Sequence, residues 1–205
     1  MYLSKLTLNL RSHRARRDLS NAYEMHRTLL WAVTEAEASH NERLLWRLEP
    51  GRRGTPVLLV QTHARPQWDV VLERNPDYAD VASDSPKLYA PSLRVDQRVR
   101  FRLKANVSVK REGKRHALHT PEQKMEWLNR QAETHGFALD RTMIVATERL
   151  CARKNSHQIS LDATVFEGAM RVVDPAQASN ALSHGIGHAK AFGLGLMSIA
   201  PSGGE

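Results

Sequence analysis

The side chains best suited to chemistry lie in Tyr23-Glu24-Met25-His26-Arg27. Tyr23 and His26 are three residues apart and Arg27 is four beyond Tyr23, so on a helix all three share a face. A phenol, an imidazole and a guanidinium placed together can break a phosphodiester without a metal. The imidazole protonates the leaving oxygen, the guanidinium offsets transition-state charge, and the phenol orients or deprotonates a neighbouring 2′-hydroxyl. The same residues also suit a helix N-terminal turn that caps against a sheet, with an ordinary exposed histidine. Spacing alone leaves both open.

A second segment is Gly185-Ile186-Gly187-His188-Ala189-Lys190-Ala191-Phe192-Gly193-Leu194-Gly195-Leu196. Gly185, Gly187, Gly193 and Gly195, with Lys190 among them, let backbone N–H groups approach a phosphate closely. Glycines serve tight turns and close packing equally well. Other chemistries find little support. The histidine pairs His116/His119 and His184/His188 lack a Cys or carboxylate at ligand spacing, and Cys151 is the single cysteine. No metal and no cofactor is expected. Neither Gly-x-Ser-x-Gly nor a P-loop occurs. Asp69, Asp77, Asp80 and Asp84 read as solvated turn residues.

The charge points to a partner. The 205 residues hold 30 Lys and Arg against 22 Asp and Glu, a net +8, and 22 of the cations are arginine. Arginine's planar fork suits phosphates and base edges, so a nucleic-acid partner is expected. The density peaks from Arg94 to His119, where nine Lys and Arg face only Asp96 and Glu112. No apolar run approaches membrane-spanning length, and the start of the chain lacks the basic and apolar regions of a secretory signal. A soluble, cytosolic protein is expected.

The elements that must position these residues follow from periodicity. Tyr2–Leu10 alternates as a strand, and Arg11–Arg17 reads as a basic loop. Asn21 is an N-cap, opening a helix from Ala22 to Ser39 with Met25, Leu29, Val33 and Ala36 on its apolar side. Leu44–Leu48 and Val57–Gln61 are strands, and Pro66–Leu93 is mostly loop, with room for one short helix. In Gln97–Ala105, Val99, Phe101 and Leu103 point one way while Arg98, Arg100, Arg102 and Lys104 point the other. Those four cations fit either a nucleic-acid surface or a solvated sheet face with cross-strand acids. Thr120-Pro121 opens a helix to His135. Two long strands follow near 137–149 and 158–166, Glu167-Gly168 turns the chain, Asp174-Pro175 opens a last helix, and Leu194–Ile199 is a final strand. The pattern is α+β: two βαββαβ units in tandem with antiparallel sheets. The first spans 1–93 with its last strand near 97–105, and the second spans 107–205.

At these segments the chain resembles the CasE-type endoribonucleases of type I-E CRISPR systems. The matching pieces are Asn21–Thr28, Arg43–Glu49, Arg98–Asn106, Val165–Gly168, Val173–Pro175 and the glycine-rich stretch from Gly185 to Pro201. They occur in order along nearly the whole chain. The resemblance implies two ferredoxin-like domains in tandem and a metal-independent reaction. In that reaction the ribose 2′-OH attacks the adjacent phosphate at the 3′ base of a repeat stem-loop, leaving a 2′,3′-cyclic phosphate and a 5′-OH. It places the catalytic histidine and tyrosine at His26 and Tyr23, with Arg27 beside them. It also implies that the cut guide RNA is retained within a multi-subunit effector complex. The family's basic hairpin maps to the tip 149–157, with Arg149, Arg153 and Lys154 as its cations. Its basic helix position maps to Arg130, followed here by Gln131 where a second arginine is typical. A non-catalytic RNA-binding scaffold of the same fold is the alternative; it offers no reason for Tyr23 and His26 to share a face.

Overall fold

A computed structural model describes residues 1–33, 44–154 and 157–202, the side chains of Lys154 and His157 excepted. The chain forms two compact units: Met1–Ala90 with Cys151–Ser160 and Lys190–Gly193, and the remainder from Pro91 onward.

The first unit runs β1 (Tyr2–Leu8), α1 (His13–Ser20), α2 (Ala22–Leu30), β2 (Leu44–Pro50), β3 (Pro56–Thr62), α3 (Trp68–Arg74), β4 (Ala79–Val81) and β5 (Lys87–Leu88). Its antiparallel sheet has the order β2-β3-β1-β4, with β5 also on β1. Leu6 and Leu8 from β1, Trp46 from β2 and Leu58 and Val60 from β3 bury against Met25 and Leu29 of α2 and Val71 of α3.

The second unit begins with β6 (Arg98–Asn106). A short hairpin follows, β7 (Ser108–Arg111) and β8 (Lys114–Ala117), and then α4 (Pro121–Thr134), β9 (Phe137–Lys154), β10 (His157–Val172), α5 (Pro175–His184) and β11 (Met197–Pro201). The sheet order is β11-β6-β10-β9. Trp127 of α4 stacks on Phe166 of β10, with ring centroids 6.3 Å apart, and Leu103 of β6 and Leu182 of α5 are also buried. Both sheets have the strand order of a ferredoxin-like domain, so the architecture is α+β with two such domains.

Several elements differ from the sequence reading. The strand read as Gln97–Ala105 exists, but it is the central strand β6 of the second sheet, not the last strand of the first. Antiparallel ladders join it to β10 and β11, which flank it, and its apolar side, Val99, Phe101 and Leu103, is buried. Short strands at Ala79–Val81 and Lys87–Leu88 complete the first sheet instead. The basic segment read as a loop is helix α1: the Ser12 hydroxyl accepts from the Ala15 N–H, and Ala15 and Asp18 turn inward. Six polar or charged side chains in eight residues hid that narrow buried stripe. Helix α2 ends at Leu30 and continues as a turn to Val33; the expected stretch from 34 to 39, Ala36 included, lies outside the described residues. Glu167-Gly168 is not a turn, because β10 passes straight through it. Gly168 is required there since a Cβ would lie 2.0 Å from the Arg141 carbonyl oxygen. The expected N-caps Asn21, Thr120 and Asp174 all accept from backbone N–H groups of their helices.

Candidate active site

Helix α2 carries Tyr23 and His26, and three contacts set its position within the first unit. Asn21 caps it, its Oδ1 accepting from the Tyr23 N–H at 3.2 Å. The same side chain grips the end of β9: Asn21 Nδ2 donates to the Arg153 carbonyl at 3.0 Å, and the Arg153 N–H donates to Asn21 Oδ1 at 3.2 Å. The turn Lys190–Phe192 packs against α2 and β2.

Helix α1 is the other support. The buried Asp18 carboxylate accepts from Arg17 Nη2 at 2.7 Å and from the Tyr78 hydroxyl at 3.1 Å. Arg17 also reaches Glu24 of α2 at 3.1 Å, and Arg14 donates to the Thr28 hydroxyl at 3.0 Å. Arg14 further stacks over the Trp31 ring at 4.6 Å. Charge-assisted bonds of this kind are roughly twice as strong as neutral ones, so α1 holds α2 by more than apolar contact. Burial and the adjacent Asp18 carboxylate push the Tyr78 hydroxyl far up, so it stays a donor to that carboxylate.

His26 is partly buried. Its Nδ1 is sealed from solvent without a hydrogen-bond partner, whereas Nε2 is not among the sealed atoms. Proton exchange therefore runs through Nε2. Burial lowers the pKa of His26 from 6.5, so the free protein holds a neutral imidazole at neutral pH. Tyr23 is partly buried on the same helix face. Arg27 is exposed and pairs with Glu24 at 3.2 Å, so part of its charge is already balanced.

The other expected residues fall in several places. Arg153 is exposed at the hairpin tip, on the rim of an open cleft with Ser20, Asn21, Cys151, Ala152 and Gln158. The side chain of Lys154 lies outside the described residues. Arg149 binds Asp162 at 3.4 Å and Arg130 binds Glu126 at 3.1 Å. The four cations of β6 are mostly neutralised across the sheet: Arg98 by Asp140 at 3.4 Å, Arg102 by Glu167 and Lys104 by Glu148. Arg100 alone of the four forms no ion pair among the described residues. Those acids are 42 to 65 positions away in sequence, on β9 and β10, and so were invisible from the neighbouring residues.

The glycine-rich loop is built for packing more than for donating outward. The N–H groups of Gly185, Gly193 and Gly195 already donate to the carbonyls of Ala181, Lys190 and Lys104. Gly193 has φ 78°, and a Cβ there would lie 2.6 Å from the Trp46 ring. Gly187, also left-handed, sits against Trp127. Lys190 opens the turn that packs on α2, which leaves Lys190 as the loop's cation on the side of the candidate site.

Sequence reasoning found Asn21 as a cap and missed its grip on β9; only a backbone partner 132 residues away reveals it. It also missed α1 as the platform under α2. The signal was present in Ser12 followed three residues later by Ala15 and then Asp18. Among the described residues no three His, Cys, Asp or Glu side chains group as metal ligands, and no helix is long and apolar enough to cross a membrane.

The chain is 44% identical to the CRISPR-associated endoribonuclease Cse3 of Thermus thermophilus, over 98% of this chain and 100% of that one. A solved structure of Thermus thermophilus Cse3 bound to an RNA representing a pre-cleavage complex superposes with a TM-score of 0.90 at 45% identity, covering 98% of both chains. The CRISPR-associated protein Cas6e of Escherichia coli K-12 shares the fold, with a TM-score of 0.74 at 20% identity over 98% of this chain and 100% of that one. The family model described as CRISPR associated protein matches residues 1–201, and with these two-domain likenesses it shows that the chain belongs to that family.

Proposed function

We propose that this protein is an endoribonuclease that cuts CRISPR precursor RNA at the 3′ base of the repeat stem-loop. The ribose 2′-OH attacks the adjacent phosphorus and the P–O5′ bond breaks, leaving a 2′,3′-cyclic phosphate and a 5′-OH, without a metal. The observation that carries this reading is His26. It is a neutral imidazole with one nitrogen sealed and the other open, three residues from Tyr23 on a helix held from both sides. Likeness to the Thermus thermophilus enzyme over the full length of both chains supports the substrate class.

His26 donates the proton to the departing 5′ oxygen through Nε2. RNA phosphates oppose the effect of burial and raise the pKa of the imidazole, so binding substrate loads the acid. Such a residue contributes roughly 10²–10⁴-fold. The Tyr23 hydroxyl orients the 2′-OH, whose proton leaves to water. Arg27, released in part from Glu24, offsets charge on the phosphorane. Arg153, Lys154 and Lys190 hold RNA beside this face. Arg100, Arg130 and Arg149 add phosphate contacts to the stem, mainly by shape because an A-form major groove hides its base edges. Gly185, Gly187, Gly193 and Gly195 shape the loop that presents Lys190, while Arg98 and Arg102 contribute through the sheet's field. The cut RNA stays bound, and the protein serves as a subunit of a type I-E effector complex in the cytoplasm.

The test is a 5′-labelled repeat hairpin incubated with purified protein in excess EDTA, beside the same RNA carrying a 2′-deoxy at the cut. Cleavage of the first only is the expected result. Tight binding of the cognate repeat with no cleavage of either would make the protein a non-catalytic scaffold.

A further inference from the structure

The β7–β8 hairpin, which none of the roles above uses, carries the densest exposed charge among the described residues. Every residue from Lys110 to His116 is exposed. The strands join through a two-residue loop, Glu112-Gly113, with φ 49° and 78°, the left-handed pair that a type I′ hairpin requires. The register then sets Lys110 directly opposite Arg115 and Arg111 directly opposite Lys114. Side chains alternate along each strand, so each face of the ribbon bears one pair of like charges, with Cβ atoms about 5 Å apart.

Like charges directly opposite across an antiparallel pair destabilise it. Both pairs lack an acidic partner among the described residues, in contrast to β6, where three of four cations are matched by acids. The only acid in the ribbon, Glu112, lies in the turn, opposite neither pair. Arg115 is the exception to the lack of partners: its Nη2 lies 2.6 Å from His188 Nε2 in the glycine-rich loop. His188 in turn bridges to Asn106, at the end of β6. The ribbon is therefore held through Arg115 and repulsive in the two pairs next to its turn. Folding alone gives no reason for that arrangement, whereas a polyanion would relieve it.

We infer that the β7–β8 hairpin is a second RNA grip, binding backbone phosphates of the substrate through Lys110, Arg111, Lys114 and Arg115. The contact is sequence-independent, since the narrow A-form major groove does not admit a ribbon to its base edges. This inference rests on the proposed RNA substrate.

The experiment compares wild type, the triple variant K110Q/R111Q/K114Q, and a control of equal charge loss, R52Q/R53Q/R94Q, whose positions are all exposed. Arg115 is left in place to preserve its contact with His188. Affinity for the repeat hairpin is measured from 0.05 to 0.5 M salt, with single-turnover cleavage at saturating protein. Each lost phosphate contact lowers the slope of log affinity against log salt by about 0.7–0.9. The triple variant should lose about two from that slope and bind roughly tenfold to a hundredfold more weakly at 0.1 M salt. Its saturated cleavage rate should equal wild type, and its Tm should hold or rise as the repulsion is removed.

Wild type that neither binds nor cuts the RNA would defeat the proposed function itself. Wild type that binds and cuts, with triple and control variants indistinguishable, would overturn the inference alone. A fall in Tm in the triple variant would mean that the cations serve the fold. Unchanged RNA affinity with loss of binding to another subunit of the effector complex would make the hairpin a protein-docking element. Either result overturns the RNA grip.

Discussion

Asn21 and Arg153 bind each other reciprocally, side-chain amide to backbone amide, at 3.0 and 3.2 Å. Asn21 thus imitates one residue of a neighbouring strand at the end of β9 while its Oδ1 caps α2. One side chain couples the N-terminus of the helix bearing Tyr23 and His26 to the basic tip bearing Arg153.

Asn21→Ala removes the cap and both bonds to Arg153. Losing such a cap costs about 0.5–2 kcal/mol, so Tm should drop by several degrees. Cleavage should fall more than RNA affinity, because the helix is misplaced while the cations remain. Asn21→Asp keeps both acceptor contacts but sets a carboxylate oxygen against the Arg153 carbonyl where the donor was. It should recover the cap's share of the stability and part of the rate. Equal loss in both variants would show that the donor is what positions α2.

His26→Ala should leave hairpin binding within a few-fold and reduce single-turnover cleavage by roughly 10²–10⁴. A collapse of binding together with cleavage would assign His26 to the fold.

The pH dependence of stability follows from the lowered His26 pKa. Above pH 6.5 His26 is neutral in both states and its contribution is complete. As pH falls, the unfolded chain takes up the proton first, so stability declines until the folded pKa is passed. Tm measured from pH 7.5 to 5 should fall less steeply in His26→Ala than in wild type. Parallel curves would mean that burial does not hold the imidazole neutral.

Arg153→Gln with Lys154→Gln should weaken RNA binding and lower the salt slope by up to about 1.8, while the Asn21 contact survives because it uses only the Arg153 backbone. A thermal melt identical to wild type with an unchanged slope would remove the tip from the RNA interface.

Gly193→Ala sets a methyl 2.6 Å from the Trp46 ring, which is buried in the first core, at a φ of 78° that side chains rarely adopt. Overpacking typically costs about 1–3 kcal/mol, and the turn Lys190–Phe192 would be pushed off α2. Lower Tm and slower cleavage should appear together. Wild-type values for both would mean that the Lys190–Phe192 loop yields freely.

Local physics made much of the chain readable. Alternating Val99, Phe101 and Leu103 specify a strand, Thr120-Pro121 a helix start, and Asn21 a cap, because each depends on a few adjacent residues. The spacing of Tyr23 and His26 is enough to put them on one helix face, and the charge names the class of partner. What remained hidden depends on residues far apart in the chain. Which sheet holds β6 is decided by its flanking strands, since an apolar stripe fits any complementary neighbour. Whether Arg98, Arg102 and Lys104 are free or neutralised turns on acids of β9 and β10. The basic segment before Asn21 is a helix because Asp18 finds Tyr78. Residue type and spacing alone determined the chemistry available to this protein; tertiary structure decided which charges remain unspent and what holds His26 in place, since pairing and burial are properties of neighbours in space.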